Sequence, residues 1–218
     1  MTNLLAELAG HGVNLRLNTR VTAELTAELM PDALILATGS KPVETVIEGR
    51  EGGNVIEAGD LLAGRAKSGA RVVVADWRCD WIGIGVAMLL QRTGHHVRLA
   101  VNGIAAGQNL QRYVRDLWAG RLHEAGIEVI TYARPFGIDG ESAYFLHGAS
   151  GRPIVVEGVD TLVLCSGHAP DVTLERELVG GGLPLTTIGD CTIARSAEEA
   201  IYDGLVLVRS FLGTLDSR

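Results

Sequence analysis

Short runs of branched apolar residues recur along the chain, and each run is bounded by glycine, aspartate or proline. Such runs are typical of strands that are buried on both faces. Stretches with helical spacing separate several of them, so the pattern favours a parallel sheet with helices packed on its faces. The predicted strands cover residues 13–17, 33–37, 71–75, 97–101, 127–131, 154–157 and 161–165.

Two further patterns complete the expected elements. Between residues 137 and 157 the glycines Gly140, Gly148 and Gly151 punctuate short segments, which indicates antiparallel hairpins and a small β layer. The last element, residues 196–212, opens with Ser196 and Glu199 in the spacing of a capping box, and it is predicted to be a helix. Internal helices are predicted around residues 82–93 and 110–125.

Composition excludes several classes of function. The chain carries 26 acidic and 19 basic side chains, a net charge of −7, which disfavours binding to nucleic acid or to an anionic membrane surface. Its three cysteines are scattered without a C-x-x-C, so neither a disulfide framework nor a metal or iron–sulfur site is expected. No apolar run approaches the ~20 residues that span a bilayer. We therefore expect a soluble cytoplasmic protein.

The first motif that could carry chemistry is PDALILATGSKP at residues 31–42. Its predicted strand ends abruptly in small residues, namely Ala37, Thr38, Gly39 and Ser40. Small side chains at the carboxyl end of a strand let a cofactor pyrophosphate approach the backbone. A strand followed by an ordinary glycine turn explains the same residues equally well, so this motif alone leaves both interpretations open.

The second motif is Gly189-Asp190, which precedes the helix that starts at Ser196 and Ala197. An acid at a strand end can accept hydrogen bonds from ribose or ribityl hydroxyls, and the amino end of a helix offers free N–H groups. Taken alone, an aspartate that caps a turn is the better interpretation. A third turn, with Ser166, Gly167 and His168, follows the strand at 161–165, and His168 could hydrogen-bond a ligand.

In their order along the chain, these motifs resemble the two-dinucleotide-domain architecture of pyridine-nucleotide and flavin-disulfide reductases. The closer resemblance is to the carboxyl-terminal part of NADH:flavin oxidoreductases similar to 2,4-dienoyl-CoA reductase, trimethylamine dehydrogenase and histamine dehydrogenase. It extends over almost the whole chain, in residues 12–20, 31–42, 71–101, 160–171 and 188–205.

The resemblance implies an α/β, three-layer Rossmann-like fold of FAD/NAD(P)-binding type. Residues 1–48 and 168–218 would form a partial FAD- or ADP-binding lobe, and residues 49–167 an inserted NAD-binding-like lobe. Members of this group also carry an FMN-binding TIM barrel, an iron–sulfur cluster and an opening G-x-G-x-x-G strand, which this sequence lacks. We therefore expect this chain to be a subunit or a fragment of the enzyme.

The inserted lobe departs from the family pattern at its phosphate loop. After the strand at 71–75, the chain has DWRCDW at residues 76–81 where nicotinamide-binding proteins have glycines. Asp76 and Asp80 would repel a diphosphate, and Trp77 and Trp81 would fill its space. Asn102 stands where an acid would take the ribose hydroxyls of NAD. The loop thus argues against NAD binding, and the tryptophans are better explained by packing at a lobe or subunit interface.

Two functions remain open. In the first, the chain is a nucleotide-binding and assembly subunit of a flavin-dependent oxidoreductase, without catalytic residues of its own. FAD or ADP would be shared with a protein partner that supplies the FMN barrel and the glycine-rich βαβ start, in a hetero-oligomer. In the second, the chain is a non-catalytic interaction protein that keeps the Rossmann-like scaffold without a cofactor. An unpaired sheet edge predicts a protein contact in either case.

Overall fold

The computed structural model describes residues 2–215. Its helices are α1 (Thr2–Gly10), α2 (Ala23–Leu29), α3 (Ala58–Leu62), α4 (Trp81–Arg92), α5 (Arg112–Glu124), α6 (Thr173–Leu178) and α7 (Ala197–Leu215). Its strands are β1 (Leu34–Leu36), β2 (Ser40–Pro42), β3 (Val55–Glu57), β4 (Arg71–Asp76), β5 (His96–Val101), β6 (Glu128–Ile130), β7 (Ala133–Ile138), β8 (Ser142–His147), β9 (Pro153–Glu157), β10 (Thr161–Cys165), β11 (His168–Pro170) and β12 (Leu185–Thr187). A short 3₁₀ turn covers Gly189–Cys191.

The chain forms two compact units. The first combines the residues up to Ser40 with those from Pro170 onward, and the second is Lys41–Ala169. Residues 41–48, which the sequence analysis placed with the first lobe, lie in the second unit. The physical reason is Ile47, which is buried in that unit's core, while the backbone of Glu48 bridges to Gly137.

The second unit is built on a five-stranded parallel sheet with the strand order β3-β10-β4-β5-β6. Alternate residues of β4 belong to the hydrophobic cores on opposite faces of the sheet. Val74 lies in the same core as Ile84 of α4, and Val73 lies in the same core as Phe145 of β8. Because both faces are covered, the strand is apolar at every position from Val72 to Ala75, as a buried parallel strand should be. The predicted α/β fold with a parallel sheet is confirmed.

Different layers cover the two faces of this sheet. Helices α3, α4 and α5 contribute to the core on one face, and the antiparallel sheet β7-β8-β9 covers the other. The predicted hairpin layer is therefore confirmed, and it begins at Ala133. In this unit it takes the place of the second helical layer that a doubly wound sheet would have.

The first unit contains a parallel pair, β1 and β12, in which Leu36 lies opposite Thr187. The strand predicted at residues 13–17 does not form: the segment has no regular secondary structure, and Val13, Leu15 and Leu17 are 50%, 51% and 71% exposed. Strands need a hydrogen-bonded neighbour. The apolar alternation is present in the sequence, but no strand within residues 2–215 lies beside it.

None of the helices described between residues 2 and 215 is both long enough and apolar enough to cross a lipid bilayer. Within the same range, no three histidine, cysteine, aspartate or glutamate side chains are grouped so that they could hold a metal ion. The thiols of Cys79, Cys165 and Cys191 are free and buried.

Candidate functional site

Strands β1 and β12 end at the same edge of the first unit. Their parallel register continues past the strands, because the Ile188 N–H donates to the Leu36 carbonyl over 3.0 Å. The turn after β1 contains Ala37, Thr38 and Gly39, and Gly39 has a φ of +75°. Its geometry is held by Asp171, whose N–H donates to the Gly39 carbonyl and whose carbonyl accepts the Thr38 hydroxyl. Glycine is favoured here because the turn needs a left-handed residue.

Asp190 lies in the turn that follows β12. The Ser40 hydroxyl donates to its Oδ2 over 3.4 Å, and the Arg195 N–H donates to its Oδ1 over 3.1 Å. A carboxylate has about four acceptor positions, so this half-buried group can take further hydrogen bonds. The structure thus brings together two residues, Ser40 and Asp190, that sequence analysis selected from opposite ends of the chain.

The amino end of α7 is already partly capped. The Ser196 N–H donates to Oε2 of Glu199 over 3.0 Å, and the Ser196 hydroxyl bonds the same oxygen. The Glu199 half of the predicted capping box is therefore formed. The Ser196 N–H is bonded within the chain. Ala197, the first helical residue, is exposed.

The turn after β10 belongs to the second unit and is packed rather than open. The Thr45 hydroxyl donates to the Ser166 hydroxyl over 2.5 Å, and the Gly167 carbonyl accepts the Val43 N–H. A β-carbon on Gly167 would lie 2.5 Å from Cδ of Arg78. The cavity lined by Ser166, Gly167 and His168 measures about 20 Å³, room for roughly one water molecule. His168 is exposed in β11, and its ring is available to solvent.

The loop between β4 and α4 occupies the position at which dinucleotide folds bind diphosphate. Asp80 caps α4: its Oδ1 accepts the Ile82 N–H over 3.0 Å, and its Oδ2 accepts Nε–H of Arg78 over 2.8 Å. The amino end of a helix attracts anions. Here the anion is the protein's own carboxylate, so the position is filled from within the chain.

Asp76, the last residue of β4, lies directly behind this cap. Its side chain is only 1% exposed. Oδ1 accepts the Cys79 N–H over 2.9 Å, whereas Oδ2 has no hydrogen-bond partner among the described residues. Burial, together with the nearby charge of Asp80, raises the pKa of Asp76 to about 7, against the opposing effects of the Cys79 N–H and of Arg78. This acid is therefore protonated over most of the acidic range.

These observations decide whether the diphosphate of NAD(P) fits this loop. The Asp80 carboxylate lies at the amino end of α4, where a phosphate would bind, and Trp77 and Trp81 in the same loop are 45% and 52% exposed. The Asn102 N–H is bonded to the Asp76 carbonyl, which fixes the end of β5 against the same loop. Without glycines, and with the Asp80 carboxylate at the amino end of α4, the loop offers no phosphate cradle. The residues present do not fit the group.

Two cysteines near the loop are poor nucleophiles. Burial raises the pKa of the Cys165 thiol well above its usual value, and the charges of Asp76, Asp80 and Glu57 raise it further. Burial and the charge of Asp76 raise the pKa of Cys79 in the same way. Because only the thiolate reacts readily, both side chains are structural.

Two polar pairings were not identified by sequence analysis. Ser68 lies 3.1 Å from Nε2 of His95, but Nδ1 of the same ring contacts the Leu90 carbonyl, so this pair closes the end of α4. Asp203 of α7 bonds the Gly189 N–H and the Arg195 guanidinium. Both pairings join residues without a recognised motif. For the second pairing, the only signal in the sequence was Asp203 itself, an acid in an otherwise apolar stretch of helix.

Comparison with known proteins gives concordant results. Residues 5–198 match the family described as pyridine nucleotide-disulphide oxidoreductase. The chain is 48% identical to an NADH oxidase from Thermoanaerobacter brockii, over 92% of this chain and 31% of that protein. It is 25% identical to an N,N-dimethylglycine/sarcosine dehydrogenase from Chromohalobacter salexigens, over 94% of this chain and 35% of that protein.

Solved structures have the same fold. A 2-naphthoyl-CoA reductase in complex with 2-naphthoyl-CoA matches with a TM-score of 0.80 and 27% identity, over 92% of this chain and 30% of that chain. The chain spans about a third of the length of the curated relatives it matches, since the alignments cover 31% and 35% of them.

Proposed function

We propose a function for this chain, which belongs to the pyridine nucleotide-disulphide oxidoreductase family. It is the nucleotide-binding and assembly part of a flavin-dependent oxidoreductase. FAD or ADP would bind at the edge where β1 and β12 end. The observation that carries the proposal is the Asp190 carboxylate beside Ser40, which keeps spare acceptor positions at that edge.

The chemistry of this edge favours the hydroxyl-bearing part of a nucleotide. Asp190, Asp203 and Glu199 lie close to one positive charge, Arg195, which is paired with Asp203. Acidic groups repel phosphate but accept hydrogen bonds from ribose or ribityl hydroxyls. Gly39 has a positive φ and no atom within 4 Å of the place a β-carbon would take, so a ligand can approach the backbone closely there. A bound flavin would supply the electron transfer, and this chain would hold and orient it.

The resemblance to amine dehydrogenases and dienoyl-CoA reductases supports the finer part of the proposal. The matched relatives are named for oxidation of NADH and of methylated glycines, and alignment to each spans more than nine-tenths of this chain. Substrate oxidation would take place on an FMN barrel outside these residues.

A protein partner would cover the apolar surface of the first unit. In addition to residues 13–17, the α7 side chains Ile201 and Tyr202 are 72% and 61% exposed. Within the described residues, β1 pairs only with β12, so its other edge has free backbone groups. Exposed strand edges and large apolar patches mark association surfaces. We propose that the partner carries the FMN barrel and the glycine-rich βαβ unit, and that the assembly is a hetero-oligomer.

The alternative is a non-catalytic interaction protein that binds no cofactor. The self-capped loop at Asp80 favours it, because one of the two nucleotide positions of the fold is filled by the chain itself. The two functions predict different products of purification. A yellow heteromer that releases FAD or ADP on denaturation supports the first, and a colourless homo-oligomer without nucleotide supports the alternative.

Replacing Asp190 by alanine should weaken binding of FAD or ADP about tenfold, because about 1–2 kcal/mol of hydrogen bonding to a charged group is lost. Titration calorimetry of the purified chain, or of its native complex, measures the change. Asp32→Asn is the matched control, since this exposed acid precedes β1 at its other end. Equal affinity in wild type and Asp190→Ala would contradict the proposed site.

NADH and NADPH should leave the β4–α4 loop unoccupied up to millimolar concentration. Trp77 and Trp81 report on this loop, because their fluorescence would change on binding. A saturable change that persists in Asp190→Ala would place a nicotinamide nucleotide at the loop and overturn the interpretation of Asp80 as an internal cap.

A further inference from the structure

The loop that carries Asp190 is tied at both ends by one acid of α7. Oδ2 of Asp203 accepts the Gly189 N–H over 3.1 Å and a guanidinium N–H of Arg195 over 2.5 Å. Gly189 precedes Asp190 directly, and Arg195 is the last residue before the Ser196 cap of the helix. A single carboxylate oxygen therefore fixes the beginning and the end of this loop against one helix.

The loop has few other anchors on its polar side. Cys191 is buried, with its thiol against the carbonyls of Leu36 and Ile188, and the Thr192 N–H donates to the Gly189 carbonyl. Thr192, Ile193 and Arg195 are exposed. Gly189 itself is held at a φ of +67°. The Ile193 N–H also donates to the Gly189 carbonyl, so the bond from the Gly189 N–H to Asp203 is the contact that holds the other side of this residue.

Arg195 connects the two acids of the site. Its backbone N–H bonds Asp190, and its guanidinium bonds Asp203. Hydrogen bonds between charged groups are about twice as strong as neutral ones. The side chain of Asp203 is 23% exposed and that of Arg195 35%, so the pair is partly shielded from water.

We propose that Asp203 is a positioning residue, which holds the Gly189–Arg195 loop so that the Asp190 carboxylate is presented beside Ser40. The inference rests on the proposed function, because Asp190 is taken there as the group that binds the nucleotide. Asp203 acts through Asp190 and is not itself assigned a contact with the ligand.

The test begins with a readout that needs no ligand. In Asp203→Asn, backbone amide exchange measured by NMR should become about tenfold faster at Gly189 and at Arg195. The Arg195 amide is bonded to Asp190, not to Asp203, and therefore reports on the placement of Asp190. The control Glu198→Gln removes an exposed charge from the same helix and should leave both rates unchanged. Unchanged exchange at Arg195 in Asp203→Asn would overturn the inference.

A thermodynamic cycle then separates positioning from general stability. Affinities for FAD and for ADP are measured with wild type, Asp203→Asn, Asp190→Ala and the double variant. Asp203→Asn should bind about tenfold more weakly than wild type, and the double variant should bind no more weakly than Asp190→Ala alone. Losses that add would show that Asp203 acts independently of Asp190, against the proposal.

Two further outcomes are covered by the same design. If wild type binds neither FAD nor ADP, the proposed function fails, while the exchange rates still decide whether Asp203 holds the loop. If Asp203→Asn does not fold, Arg195→Met removes one of the two bonds to Asp203 and leaves the Gly189 bond. Arg195→Met should then speed exchange at residue 195 more than at Gly189, and rates equal to those of wild type would refute the loop tie.

Discussion

Replacing Gly83 by alanine should destabilise the second unit by roughly 3 kcal/mol, since forced overpacking of a core costs about 1–3 kcal/mol and occasionally more. A β-carbon at this position would lie 2.3, 2.4 and 2.5 Å from Cγ, Oδ2 and Cβ of Asp76. The Cβ of Asp76 is fixed to a buried strand and cannot rotate away, so α4 would have to shift away from β4.

Urea unfolding followed by tryptophan fluorescence measures this effect directly. All three tryptophans, Trp77, Trp81 and Trp118, lie in the second unit, so the signal reports on that unit. Gly85 on the same helix is the matched control, because nothing lies within 4 Å of a β-carbon there. Gly85→Ala should be neutral or more stable by up to about 1 kcal/mol, since alanine is the better helix former.

A second substitution tests whether the clash with Asp76 causes the loss of stability. Asp76→Gly removes the side-chain atoms that collide with the new methyl group at position 83, so the double variant Asp76→Gly/Gly83→Ala should recover part of the stability lost in Gly83→Ala. Neighbouring sites in contact are expected to be non-additive in this way. If Gly83→Ala is no less stable than Gly85→Ala, the result contradicts close packing of the Asp76 side chain against Gly83.

The second large effect is a pH dependence that arises from Asp76. Burial raises its pKa from 3.8 to about 7 in the folded state. Between these two values the folded state binds more protons than the unfolded state, so the free energy of unfolding falls as pH rises. The contribution of Asp76 to the free energy of unfolding is fully present below pH 3.8 and is lost progressively as pH approaches 7. Above pH 7 the free energy of unfolding no longer changes through this group. The total change is about 4 kcal/mol.

Asp76→Asn should abolish this dependence, because the amide is neutral at every pH and keeps an oxygen for the Cys79 N–H. Near pH 4 the variant and wild type should be about equally stable, and near pH 8 the variant should be more stable by up to about 4 kcal/mol. Fluorescence-detected unfolding at pH 4, 6 and 8 checks the difference. Parallel pH profiles for the two proteins would mean that Asp76 is ionised in the folded state.

Both predictions concern the β4–α4 turn. The packing of this turn explains why the second unit has no open phosphate position. Asp76 fills the space against Gly83, and Asp80 caps the helix that would otherwise receive a phosphate. Replacing Asp80 by glycine would remove the side-chain acceptor of the Ile82 N–H at the start of α4. The turn is thus a packed structural element, and nucleotide binding in this protein is proposed for the first unit alone.

Local sequence patterns were sufficient where a single element determines its own structure. The apolar run in β4 specifies a strand buried on both faces, and Ser196 with Glu199 specifies the start of α7. The acids of the β4–α4 loop were also informative, because charge repulsion at a phosphate position does not depend on distant residues. These features specified the fold class and predicted that the loop disfavours a phosphate.

Long-range contacts decided the rest. Residues 13–17 have the pattern of a strand but no neighbour to pair with, and residues 41–48 join the second unit through the burial of Ile47. The pKa of Asp76 depends on how deeply α4 buries it, and the role of Asp203 depends on a bond to Gly189, 14 positions earlier. Sequence alone predicted the buried strands of the parallel sheet, the helices with regular apolar spacing and the turn where acids disfavour a phosphate. Only the tertiary structure decided which acids are buried, paired or open, because burial and hydrogen bonding join residues that are distant along the chain.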